Sequence, residues 1–460
     1  MATHVIQRQR FELNLSSRHN AIAEQDRFTS VYQERVLPEL ERVFDRLAGP
    51  DVVIHLDELT IDLGAIPTAA SDTVLAEMML QSFTQQISSV VFELQEQQGP
   101  NSGKATPAGS ALVLLRHFLL HGNYPWWATA QPVVELVEQL RANTPEALAT
   151  LIRTEAQSVM VRKRILRQLP LPMLETLNLL LLEAEAPELK KALQTLLAAL
   201  AWKQPTPTQH QLAELLEKLM FEYATTLPAV RSMPLEDWLL MRLPEVAPKL
   251  AQAHGLELAP RKKQAAATAQ SEQIKKAREA QQQSASQATE TLAKEGLYVQ
   301  NAGVIMVWPF MEMLFTDLGW LKNQTWTSEE AQESAALMVQ LLATGKQDAE
   351  EHELALNKAL CGLPLDHPLP TSANFTTEAQ EKAQAVLRSV IKHWGALGDV
   401  TTAQLQHSFL MREGRIRQVE NDWELKVEQL GYDIVLDQLP WGLGTVMLPW
   451  LARTIHVEWV

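Results

Sequence analysis

The 460-residue chain has a single cysteine, Cys361. A disulfide framework within the chain is therefore excluded, and a reducing compartment is expected. It has no surplus of positive charge. Forty Lys and Arg stand against 55 Asp and Glu, for a net −15. That balance argues against a nucleic-acid binder, which needs a positive footprint, and against binding an anionic membrane. Long hydrophobic runs are also missing. The greasiest stretch, Leu177–Leu182, ends at Glu183 and Glu185, well short of the roughly 20 apolar residues a membrane helix needs. The opening MATHVIQRQRFELNL contains no apolar stretch of the kind a secretory signal carries. A cytoplasmic location is expected.

Candidate chemistry is equally sparse. Gly99–Thr106 (GPNSGKAT) has three residues between its glycines, where a phosphate-binding loop has four, and Ala105 stands where a hydroxyl is needed. His117 and His121 are four apart on an expected helix, but no third metal ligand accompanies them. Cys361 could act as a nucleophile only beside a base, with His352, His367 and His393 as candidates; a small buried hydrophobe is the commoner role. Asp433, Asp437 and Glu413 could supply a carboxylate pair, yet surface and helix-end charges are far more frequent. Arg162, Lys163, Arg164 and Arg167 form the strongest basic cluster, and Lys262, Lys263, Lys275, Lys276 and Arg278 a looser one. Such runs are mostly solvated faces, the alternative being contact with an acidic protein surface. Trp126-Trp127 reads as core more than as an exposed pair. No catalytic, metal or cofactor residue is assigned, and a non-enzymatic protein is expected.

What the sequence does have is apolar content, at 46%, ample for sizeable cores, and a length of 460 residues that predicts two to four domains. Residues 1–98 read as a β-α-β-α unit: strands at His4–Leu15 and Asp51–Ile66, helices at Ala21–Leu47 and Asp72–Gln97. Residues 110–257 read as an array of helices of about 12 residues, punctuated by Pro, Gly and Asn. Residues 258–296, rich in Ala, Gln and Lys, read as a linker, because they offer too little apolar surface to offset the entropy of ordering. Residues 297–460 read as a helical domain with C-terminal strands. A buried helix is expected over Val304–Trp320, with Pro309 starting or breaking it. Trp423–Leu430 and Tyr432–Leu439 both alternate at period two about Gly431, and are expected to form a hairpin. Thr454–Trp459 is a further strand. The fold class is mainly α with small terminal β-sheet elements (α+β). The terminal strands are expected to join in one sheet, since two or three strands alone are marginal.

The final third holds eight of the twelve tryptophans. Its landmarks are GVIMVWPFMEMLF (Gly303–Phe315), LNKALCGLPL (Leu356–Leu365), HW (His393, Trp394), SFLMREGRI (Ser408–Ile416), LDQLPW (Leu436–Trp441), LPW (Leu448–Trp450) and HVEW (His456–Trp459). In order and spacing they resemble the tape-measure proteins of contractile injection systems, which are phage-tail-like particles of tube, sheath, baseplate and cap. The resemblance extends more weakly to Phe118–Trp127 and His55–Ile66. Where that family often has Leu-Arg, this chain has Leu405-Gln406. The resemblance implies a non-enzymatic assembly protein that helps set tube and sheath length. Its partners would be tube, baseplate or spike, and cap subunits, and it could be incorporated into a released particle. The alternative is an assembly chaperone, or a cap- or baseplate-associated factor, binding tube or spike subunits.

Overall fold

The computed structural model describes residues 21–47, 71–97, 107–125, 128, 131–200, 207–226, 231, 233–247 and 296–460. The expected strands His4–Leu15 and Asp51–Ile66, the Gly99–Thr106 loop, Trp126-Trp127 and nearly all of the linker lie outside them. So does the expectation that the N- and C-terminal strands share a sheet. The chain divides into two compact units, residues 1–114 with 126–129, and residues 115–125 with 130–460.

In the first unit, helix α1 covers residues 21–47 as Ala21–Val31, a π-turn at Tyr32–Val36 and Leu37–Leu47. Pro38 has no N–H, and its ring crowds the carbonyl four residues back; the wider turn before it makes room. The 3.6-residue stripe is buried as its spacing requires, at Phe28, Val31, Val36, Leu40 and Val43. It packs with Leu75, Ala76 and Met79 of α2 (Asp72–Gln97). Ser71 caps α2, its Oγ accepting from the Val74 N–H at 3.4 Å. Arg27 ties α1 to Asp72 at 2.7 Å.

The division between units falls within α3 (Pro107–His121). The array follows as α4 (Val133–Asn143), α5 (Pro145–Glu155), α6 (Val159–Gln168), α7 (Leu171–Leu182), α8 (Ala186–Ala199), α9 (Gln209–Thr225) and α10 (Leu235–Val246). Prolines 145, 172 and 187 sit in first turns, where a missing N–H costs nothing. A Thr208/Gln211 capping box starts α9. The interior is mostly aliphatic, with Leu136, Leu140, Leu148, Ile152, Leu177, Leu193 and Leu219 almost wholly enclosed.

Residues 296–460 are less regular. Strand β1 (Leu297–Val299) leads into a 3₁₀ turn, Ala302–Val307, and α11 (Trp308–Asp317). The single helix expected over Val304–Trp320 is thus divided at Pro309, which starts the α-helical part. A short hairpin pairs β2 (Leu321–Lys322) with β3 (Thr325–Trp326). Helices α12 (Glu329–Thr344), α13 (Ala355–Cys361), α14 (Thr377–His393) and α15 (Thr402–Leu405) follow, the last continuing as a π-turn, Gln406–Leu410. Strands β4 (Gly414–Val419), β5 (Asp422–Val427), β6 (Thr445–Val446) and β7 (Ile455–Trp459) complete a five-stranded sheet ordered β1-β4-β5-β7-β6. Only the β5–β7 pair is parallel.

Two readings are corrected here. Trp423–Leu430 does contain a strand, but its hairpin partner is β4, through a turn where Glu420 takes φ 54°. Tyr432–Leu439 is not a strand: Asp433–Gln438 forms a 3₁₀ helix. The Asp433 carboxylate is buried, taking the Arg412 guanidinium at 2.7 Å and the Leu430 N–H at 2.7 Å. Those charge-assisted bonds outweigh the period-two pattern. Two landmark glycines are there for close approach. A Cβ at Gly303 would strike the Phe409 carbonyl, and one at Gly414 would strike Ala302 and the Lys426 carbonyl.

Candidate functional site

The most concentrated polar chemistry of the second unit lies where α6 meets residues 329–369. Of the basic cluster of α6, Lys163 alone is exposed, as a solvated face would have it. Arg162 and Arg164 are buried, and Arg167 is partly so. Arg162 meets Glu222 of α9 at 3.1 Å and donates to the Ala156 carbonyl at 2.7 Å. Arg164 has no exposed surface, and neither does its partner Glu351. Its Nε lies 3.0 and 3.2 Å from the two Glu351 oxygens, and its Nη atoms donate to the carbonyls of Leu119 and Asp366. Glu351 also receives Lys358 Nζ at 2.8 Å. Burial pushes the Lys358 ammonium below its ordinary pKa, and nearby Arg164 adds to the effect while Glu351 opposes it. The acidic surface that the cluster contacts belongs to this chain.

One turn on, Arg167 reaches Glu333 of α12 at 2.7 Å and the Pro368 carbonyl, and Gln168 donates to the Leu369 carbonyl at 2.7 Å. Lys358 gives a further bond to the Leu365 carbonyl at 3.0 Å. The irregular strap Leu365–Leu369 thus has four of its five carbonyls held by cationic or amide side chains. His367 on the same strap approaches Glu333 at 2.7 Å. Burial raises the Glu333 pKa, but the bonds from His367 and Arg167 more than reverse it, leaving the carboxyl below its ordinary range.

The sequence landmarks resolve into supports for irregular backbone. The indole N–H of Trp394 donates to the Val435 carbonyl at 3.0 Å, that of Trp441 to Met306 at 2.9 Å, and that of Trp450 to Leu360 at 2.8 Å. Asn357 joins Asn301 and Gln340 in a buried network, with bonds of 2.7 to 3.2 Å. Gln406, at the position where the family often has arginine, donates to the carbonyls of Leu341 and Leu342 near the end of α12.

The remaining candidates are dispersed. Cys361 is fully buried, and desolvation alone pushes its thiol pKa up, the opposite of what a nucleophile needs. The three histidines considered for it are engaged elsewhere: His352 against the Tyr124 ring, His367 with Glu333, and His393 with the Ser389 carbonyl. His117 and His121 do come together, their ring centroids 4.7 Å apart. Burial lowers both, His121 to about 4, and the charges of Arg164 and Arg116 add to that shift. A positive field of this kind disfavours a metal cation. Asp433 is neutralised by Arg412, and it shares a 3₁₀ helix, not a strand face, with Asp437. Glu351, Lys358 and Glu333 were not singled out from sequence; the one signal was Lys358 standing alone in the apolar run LNKALCGLPL.

No helix among the described residues is long and apolar enough to cross a membrane. No curated protein and no solved structure matches the chain. A family model, the contractile injection system tape measure protein, matches residues 3–459. With nearly the whole chain covered, and with the landmarks accounted for as the pins of one packed region, the protein belongs to the contractile injection system tape measure protein family.

Proposed function

We propose that the protein is a non-enzymatic assembly component that helps set tube and sheath length, and that it does so as a folded body at an end of the tube. Its partners on this reading are tube, baseplate or spike, and cap subunits. The observation that carries it is the compactness of residues 296–460, whose core is continuous from Leu297 to Val457. A compact body of that length has a radius of gyration of about 15 Å, roughly three times the radius of a single helix. Threading it through a bore sized for one helix would require breaking the Arg164–Glu351–Lys358 cluster and the tryptophan pins together. Of the described candidates for acid/base or nucleophilic chemistry, Cys361, His352, His367 and Asp433 are engaged in packing or ion pairing, while Glu413 and Asp437 are exposed.

The linker Arg261–Gly296 is the stretch that can be altered without cutting into this core. Deleting 30 of its residues, if they span as helix, removes at most about 45 Å of reach between this end-bound body and the rest of the chain, and a change in particle length is the expected outcome. Particle lengths in electron micrographs of the deletion strain provide the check. Unchanged lengths at normal yield would contradict a length-setting role and favour a factor that binds subunits and leaves.

A further inference from the structure

We propose that Glu329, Glu333 and His367 form a divalent-cation site of the zinc type, one that fastens the Leu365–Leu369 strap to α12. Each residue presents one ligand atom, and these atoms lie within 4.8 Å of one another. His367 Nε2 is 3.8 Å from Glu329 Oε1 and 2.7 Å from Glu333 Oε1. Metal bonds of about 2.0–2.2 Å in a tetrahedral site put neighbouring ligand atoms roughly 3.4 Å apart. The first distance is already close to that value. The second needs Glu333 to withdraw by well under 1 Å, giving up a hydrogen bond for a metal bond.

The surroundings suit a metal in three respects. Glu329 and Glu333 are one turn apart on α12, so both carboxylates project from one face. Arg167 Nη1 donates at 2.7 Å to Glu333 Oε1, the same oxygen that faces His367; it fixes that oxygen in place as an outer-sphere partner, and the metal would share it. Glu333 and His367 are buried while the Glu329 side chain is 61% exposed. Two ligands are therefore preset, and the third faces solvent, leaving an entry path and a place for a water ligand. The two carboxylates and Arg167 together carry a net −1, so a dication is attracted even with the guanidinium present. A ligand set with an imidazole selects zinc-like transition metals over magnesium or calcium, which take oxygen ligands. On binding, the metal takes the Nε2 lone pair of His367, and the ring's remaining proton sits on Nδ1.

The consequence is an added fastening between the two parts of this unit. The metal would join α12 to the strap, and the strap and Glu333 are already tied to α6 by Arg167 and Gln168. A cation that binds the docked arrangement alone stabilises it in proportion to its concentration over Kd.

Calorimetric titration of the full-length, chelator-stripped protein with Zn²⁺ tests the site, with Mg²⁺ as the contrast. One equivalent of Zn²⁺ is expected to bind, with a rise in Tm, and Mg²⁺ is expected to give neither. Glu329→Gln, at an exposed side chain that the fold does not need, is expected to weaken Zn²⁺ binding at least ~10-fold, the scale seen even for outer-sphere losses. His367→Gln is expected to weaken it further. His117→Gln with His121→Gln is expected to leave it unchanged. Absence of one-equivalent binding would overturn the proposal. So would an affinity unmoved by Glu329→Gln but lost in the His117/His121 double variant, which would place the zinc on that pair.

Discussion

Residues 131–247 and residues 296–460 are held together in different ways. The array is built of whole helices, which satisfy their own backbone, and its buried polar pairs, Arg162 with Glu222 and Asn178 with Glu217, join one helix to another. The C-terminal region is built of 3₁₀ turns, π-turns, a strap and short strands, which leave carbonyls without partners at Met306, Leu360, Leu365, Asp366, Val435 and Leu369. Each of these is met by an indole, an amide, an ammonium or a guanidinium from another element. Trp308, Trp394, Trp441 and Trp450 supply both apolar area and an N–H to irregular backbone, whereas the buried indole N–H groups of Trp326 and Trp459 contribute packing without a backbone partner.

The largest effect is expected where helix α6 of the array serves the C-terminal region. Arg164→Met leaves Glu351 buried without its guanidinium and frees two carbonyls. A loss of about 2–6 kcal/mol is expected, because two buried carbonyls lose their donor while Lys358 still neutralises Glu351, and urea unfolding of the purified variant measures it. A loss below 1 kcal/mol would mean that the cluster relaxes or hydrates at little cost.

Matched swaps sharpen the contrast. Asn357→Leu, which keeps the branched shape but adds volume, costs Asn301 and Gln340 their shared partner and the Ala336 carbonyl its donor, and is expected to cost about 1–3 kcal/mol. Leu219→Met in the array keeps volume and polarity and is expected to cost less than about 1.5 kcal/mol. Equal costs would remove the distinction between the regions. Trp450→Phe keeps the ring in the cluster with Phe315 and Trp326 but loses the bond to Leu360, worth about 1 kcal/mol. A difference in melting temperature from wild type reads this out.

Acid gives a gentler, graded effect. His117, His121 and His352 all have pKa values lowered by burial, His121 to about 4. An unfolded histidine titrates near 6.5, so between about 6.5 and 4 the unfolded chain binds more protons than the folded one. Stability from these groups is complete above that window and falls as pH falls through it. Glu350, raised by burial, acts in the opposite direction around the carboxylate range. Urea midpoints from pH 7.5 to 4.5 are expected to drop, with a shallower slope in His121→Gln. Midpoints that rise on acidification would contradict the histidine assignment.

Much of the helical layout was legible because its signals are local. Prolines 145, 172 and 187 begin helices, and the stripe from Phe28 to Val43 is buried as its period requires. The Trp423–Val427 alternation was legible as a strand, but its pairing with Gly414–Val419 was not, since the residues before it lack a clean period. Tyr432–Leu439 misled because Ile434, which looks like a core position, is 74% exposed, while Asp433 beside it is the buried anchor. The candidate site was the least legible part. A run of four basic residues gives no sign of which are buried, and the partner of Arg164 lies 187 positions away. Glu329 and His367 are likewise joined only by the fold. The landmark resemblance succeeded where local physics could not, because the landmarks are the residues that pin irregular backbone.

On the proposed reading this chain works as a folded body at the end of a tube. Cryo-electron microscopy of assembled particles, with the chain located by comparison with a strain lacking it, tests this most directly. Compact density the size of residues 296–460 is expected at one end of the tube, in contact with baseplate or cap subunits. Continuous thin density along the lumen, with no compact body at either end, would contradict it.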